Sequence, residues 1–221
     1  MKPSSDLAGE AVRLHARYLV EIVEELGFCP WARRSRVDGR IRQRVSMATT
    51  PDEARAAATD AIEAIHREAD VEVGFLIFPC LRIDRRAFDE VAAQVIENEG
   101  ARHPIGEVPF MLAAFHPDAP ADMKTPERLV PFLRRTPDPC LQLVRASVLE
   151  AVRAHTPQGT QLIDIEHFDP SQLSDAIPLR ERIARSNHET VRTLGLEEVT
   201  RRFEEIRADR DATYARLAQG D

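Results

Sequence analysis

Between Val71 and Pro79 the chain reads Val-Glu-Val-Gly-Phe-Leu-Ile-Phe-Pro, a nearly continuous apolar run with β-branched and aromatic residues. The run is too short for a buried helix and suits a strand covered on both faces, so it belongs near the centre of a sheet. Val108 to Phe115 reads as a second buried strand. Helix signals alternate with these strands. Thr50-Pro51-Asp52-Glu53 supplies an N-cap hydroxyl, a proline at the first helical position and a glutamate three residues on, which predicts a helix to about Arg67. Asp84 caps another, running through Phe88, Val91, Ala92, Val95 and Ile96 to Gly100. Residues 40–47 alternate Arg40, Arg42 and Arg44 with Ile41, Gln43, Val45 and Met47, the period of a strand with one wet face. This alternation predicts an α/β (α+β) domain with a mixed four- or five-stranded sheet and packed helices, partly parallel through right-handed crossovers. A ferredoxin-like two-layer sandwich is the specific expectation.

The flanking segments are helical. Apolar residues from Leu7 to Leu26 recur at three-to-four spacing and end at Gly27, a residue type common just past a helix end. Residues 116–140 hold six prolines, with a short helix expected from Thr125 to about Arg134. Leu141–Val144 and Thr160–Glu166 read as further strands and residues 146–155 as a helix. From Leu179 the chain is helical again, broken near Gly195. With 221 residues and neither repeat nor linker, one domain over residues 1–221 is expected, its C-terminal helical segment 179–217 packed on or extending from the α/β core.

Composition narrows the function. Thirty basic residues against 37 acidic ones give a net charge of −7, which argues against general nucleic-acid binding and makes any anion site local. Three widely spaced cysteines, Cys29, Cys80 and Cys140, form no CxxC pair; reduced thiols and a cytoplasmic location are expected, with neither a disulfide scaffold nor a four-cysteine zinc site. No 18-residue apolar run is present, and Met1 to Glu10 is polar and acidic, so no membrane partner is expected. Phosphate-loop, dinucleotide, zinc-protease and serine-hydrolase signatures are absent, and no cofactor is called.

Cys29-Pro30-Trp31-Ala32-Arg33-Arg34 follows the first helix. Neighbouring arginines and a short helix starting at Pro30 would lower the thiol pKa, while the preceding helix's C-terminal dipole would raise it. The competing reading is a small buried hydrophobe at a turn. From Arg33 to Arg44 six arginines face a single acid, Asp38, a pattern suited to an anion site or to a solvated strand face. His116-Pro117-Asp118 stands where a buried strand meets the proline-rich loop, as a general base or donor to charge or as a structural histidine. Arg134 to Cys140, including Arg135 and Thr136, reads as an anion clamp or a rigid connector. His116, Asp118, His167 and Asp169 form the weaker metal alternative.

Taken together, Leu26-Gly27-Phe28-Cys29-Pro30-Trp31-Ala32, Phe115-His116-Pro117, Arg135-Thr136-Pro137-Asp138-Pro139 with Leu141, and Ile183-Ala184 followed by Asn187, Thr190 and Leu194-Gly195 resemble the bacterial family called domain of unknown function 1415. Trp31 stands where the family has phenylalanine, Thr136 for serine, Asp138 for tyrosine and Cys140 for methionine, which leaves Cys140 without family support as a catalytic residue. The resemblance points at Cys29, His116 and Arg135 and brings no reaction with it. The expected function is a small-molecule enzyme or binder whose pocket joins catalytic Cys29 and His116 with Arg33, Arg135 and Thr136 around a small anionic molecule. The alternative is a non-catalytic interaction or ligand-sensing protein in which these residues form a structural hub.

Overall fold

A computed structural model describes residues 3–104, 107–154 and 179–219. The capped helices form where the sequence places them. Helix α3 (Pro51–His66) starts with the full capping box of Thr50 and Glu53, and α4 (Arg85–Arg102) starts on Asp84, whose side chain accepts from the Ala87 amide. Four strands, β1 (Ile41–Val45), β2 (Val73–Ile77), β3 (Phe110–Phe115) and β4 (Cys140–Arg145), form one sheet in the order β1-β2-β4-β3. β1 and β2 are parallel through α3, and β4 inserts antiparallel between β2 and β3. The predicted strand Thr160–Glu166 lies outside the described residues.

The mixed four-stranded sheet is the expected one, but the ferredoxin-like, two-layer arrangement is not what forms. Strands and helices alternate one by one, in place of the βαββαβ order, and both sheet faces are covered. Leu76, Phe78, Phe110, Leu141 and Leu143 pack under α3 and α4. Phe75, Ile77, Phe115 and Cys140 pack on the opposite side under α1 (Pro3–Arg17), α5 (Pro126–Leu133) and the C-terminal helices α7 (Leu179–Leu194) and α8 (Leu196–Ala218). The strand period of two sends alternate apolar residues of β2 and β4 to each core, so a run apolar at consecutive positions requires two helical layers. Gly74 is the tight point: a Cβ there would lie 2.6 Å from Ile65 Cδ1 and 3.1 Å from Leu143 Cδ1.

The first helix does not run uniformly to Leu26. Tyr18–Glu24 is a π-helical segment, continued by i→i+5 bonds from the Glu25 amide to Val20 O (3.0 Å) and from Phe28 to Val23 O (2.9 Å). Gly27 then adopts φ 68°, the left-handed conformation glycine adopts at least cost. α8 is tied back by buried Asp138, which accepts from Arg210 Nε (2.9 Å) and Tyr214 Oη (2.6 Å). Asp209 likewise accepts from Arg13 (2.8 Å) and Arg17 (2.6 Å) of α1, which hold its carboxyl well below the usual range.

Candidate functional site

On the sheet face that carries α1, the helices leave part of β2 and β4 open beside that helix, and a cleft of about 1290 Å³ opens there. It is larger than the ~300–1,000 Å³ typical of small-molecule sites. Its floor is Val73, Phe75 and Val144, with Phe115 at one end. Its walls come from the π-helical segment, the Cys29 turn, α5, the start of α6 (Ala146–Ala154) and α7. The polar groups that line it include Arg134, Gln142, Ser147 and Cys29, with Arg34, Glu72, Glu127, Arg180, Glu181 and Arg182 on the surrounding walls.

Cys29 is placed by two contacts of the residues before it. The Phe28 amide closes the π-helical turn, and buried Asn187 of α7 donates Nδ2 to Phe28 O at 3.1 Å. Burial pushes the Cys29 thiol above its ordinary pKa, and the Trp31 and Ala32 amides pull it back only in part. The expected activation is therefore not what the surroundings produce. Arg33 is exposed with no partner among the described residues, and Arg34 pairs with Asp38 at 3.6 Å. The following helix, α2 (Ala32–Val37), is only six residues long.

The predicted constellation separates. His116 follows Phe115, and since Phe115 faces the cleft, the strand alternation sends His116 to the other side, against Phe88 of α4. Both its nitrogens are used: Nδ1 accepts from the Asp118 amide (3.2 Å), which leaves the proton on Nε2, 3.2 Å from Ile83 O. Burial lowers its pKa below the ordinary imidazole value, which favours the neutral ring. Arg135 donates Nε to Ala119 O at 2.5 Å and stacks on Phe132, and Thr136 donates to Asp138 O at 2.7 Å. Neither reaches the Cys29 cleft.

Arg134 takes the place expected for Arg135. Its guanidinium lines the cleft 5.4 Å from the Phe115 ring centroid. It is mostly buried, and burial lowers its pKa below the ordinary arginine value. No described residue pairs or hydrogen-bonds with it, although this chain partners most of its half-buried arginines. A signal for it was present: Glu127, Val130 and Arg134 fall at i, i+3 and i+7 on the face that α5 turns to the cleft.

The arginine run proves to be a braced strand edge. Arg36 pairs with Glu24, Arg40 with Glu72, and Arg42 and Arg44 share Glu68; such charges also protect an edge strand from pairing elsewhere. Unforeseen was the contact of buried Cys140 with His15, Sγ to Nε2 3.8 Å, beneath α1. Burial keeps both neutral, raising the thiol and lowering the imidazole to about 3. Among the described residues no three histidine, cysteine or carboxylate side chains gather as metal ligands. His167 and Asp169, invoked for the metal alternative, lie outside the described residues, and no described helix is long and apolar enough to cross a membrane.

A family model described as protein of unknown function (DUF1415) matches residues 10–167, well over half of the 221 residues. The chain belongs to that family. The match spans Cys29, His116, Arg134 and Gln142 and stops short of α7 and α8. No curated protein and no solved structure matches the chain.

Proposed function

We propose that this protein binds a small amphipathic anion, its acidic group on Arg134 and its apolar body along the sheet floor. The observation that carries the reading is a mostly buried guanidinium at the end of an apolar cleft with no described carboxylate partner. Keeping a cation out of water without a partner is costly, and an incoming carboxylate, sulfonate or phosphate offsets that cost through paired charge-assisted hydrogen bonds. The apolar floor lowers the local dielectric and strengthens that attraction.

The same geometry supports binding over thiol catalysis. Cys29 has a raised pKa and no histidine base beside it among the described residues, since His116 lies across the sheet with both nitrogens engaged. His116, Arg135 and Thr136 fit the structural-hub reading, each holding a backbone carbonyl of a loop that flanks α4 or α5. A ligand-sensing protein combines the two: a hub that shapes the loops and an adjacent cleft that takes the ligand.

Trp31 is the sole tryptophan and lines the cleft, so its fluorescence reports occupancy. Titration with tridecanoate is expected to change it saturably. Arg134→Gln is expected to weaken binding roughly 10- to 100-fold, the range of a charge-assisted bidentate contact, and Arg135→Gln to leave it unchanged. Equal affinity in wild type and Arg134→Gln would overturn the reading.

A further inference from the structure

Resting on that anion site, we infer that the preferred ligand carries an amide a short distance from its acidic group, as an N-acyl amino acid does, and that Gln142 reads it. Gln142 stands on β4 in the cleft floor, and no described residue hydrogen-bonds its carboxamide. Every other face of the floor near it is apolar: Phe75 lies beside it on β2 and Ala113 on β3. A carboxamide left without partners in such surroundings is a two-point recognition group, one donor and one acceptor held in a plane. A ligand amide offers this group an N–H or a C=O to pair with, and a methylene offers neither.

The register fixes the spacing. Phe115, under the Arg134 guanidinium, pairs with Cys140, and Ala113 pairs with Gln142. Gln142 is therefore two residues along and one strand across from Phe115, about 8 Å in the sheet plane at ~3.4 Å per residue and ~4.8 Å per strand. Arg134 and Gln142 line the same cleft at that spacing, so a ligand held by its acid at Arg134 passes its next few atoms beside Gln142. Beyond Gln142 on the same face lie the paired Val144 and Val73, with Ile41 and Val148 alongside. Those four side chains are apolar, which suits an acyl chain. The order acid, amide, alkyl follows the order Arg134, Gln142, valine floor.

The test titrates the full chain with N-decanoylglycine and with tridecanoate, matched in chain length and differing at the amide, while Trp31 fluorescence is followed. Wild type is expected to bind N-decanoylglycine about tenfold tighter, the worth of a hydrogen-bonded pair made in place of an unpaired group. Gln142→Leu is expected to bind the two acids equally, and tridecanoate no worse than wild type does. Equal affinity of wild type for both acids overturns the role of Gln142 and leaves the anion site standing, as does a preference that survives Gln142→Leu. Failure of both acids to bind wild type overturns the anion site itself and this inference with it.

Discussion

Replacing Asn187 with leucine is expected to detach the thiol-bearing turn from α7. Asn187 and Phe28 are 7% and 6% exposed, and the only hydrogen bond to Phe28 O among the described residues is the 3.1 Å one from Asn187 Nδ2. Leucine keeps the branched shape and is the larger side chain, so the substitution removes the donor and leaves the carbonyl unpaired without opening a cavity. A buried orphaned acceptor costs about 1–3 kcal/mol. At roughly 2–4 °C per kcal/mol for a chain of this size, the melting temperature should fall by several degrees. A second readout isolates the turn. Burial holds the Cys29 thiol above its ordinary pKa; freeing the turn rehydrates it, so the thiolate fraction and the iodoacetamide labelling rate at pH 8 rise. Peptide mapping separates Cys29 from Cys80 and Cys140. An Asn187→Leu protein with unchanged melting temperature and unchanged Cys29 labelling would refute the claim that this one bond holds the turn.

Two further outcomes follow from the cores. Gly74→Ala forces Ile65 and Leu143, both almost fully buried, to shift, and should destabilise by about 1–3 kcal/mol in urea unfolding; a neutral effect would mean that the α3 side of the sheet is loosely packed. His15 is buried neutral with its pKa lowered to about 3 from 6.5, so the unfolded chain binds the extra proton first and stability falls as pH drops from about 6.5 toward 3. His15→Met should flatten that limb in pH-dependent denaturation, and an unchanged limb would assign the acid sensitivity elsewhere.

Much of the fold was legible because its signals are local. The Thr50 and Asp84 caps and the alternation of β1 depend on residues within a few positions of one another. The layer count was legible too, and outvoted: the Val71–Pro79 run already demanded cover on both faces, which a two-layer sandwich cannot supply. The π-helical stretch was not, because Tyr18, Leu19 and Ile22 fit an α-helical stripe equally well and the contacts of Tyr18 with Phe115 and Phe203 are made by residues distant in sequence. In the site, the two arginines were seen as a pair, but choosing between them needed the α5 period carried one residue past its last turn. The separation of Cys29 from His116 depends on which face each strand residue takes, and that is set by the whole sheet. The pairing of the arginine run with Glu24, Glu68 and Glu72 joins residues up to 32 positions apart, beyond any local reading.

The central claim, that Arg134 holds the ligand's acidic group, is tested most directly by following arginine Nε–Hε signals in a ¹⁵N-labelled chain during a tridecanoate titration. Binding is expected to shift and sharpen the Arg134 signal as the guanidinium gains its partner and is shielded from exchange. Arg135, already bonded to Ala119 O, serves as the internal control and should stay still. Saturable binding reported by Trp31 with the Arg134 signal unmoved would contradict the account.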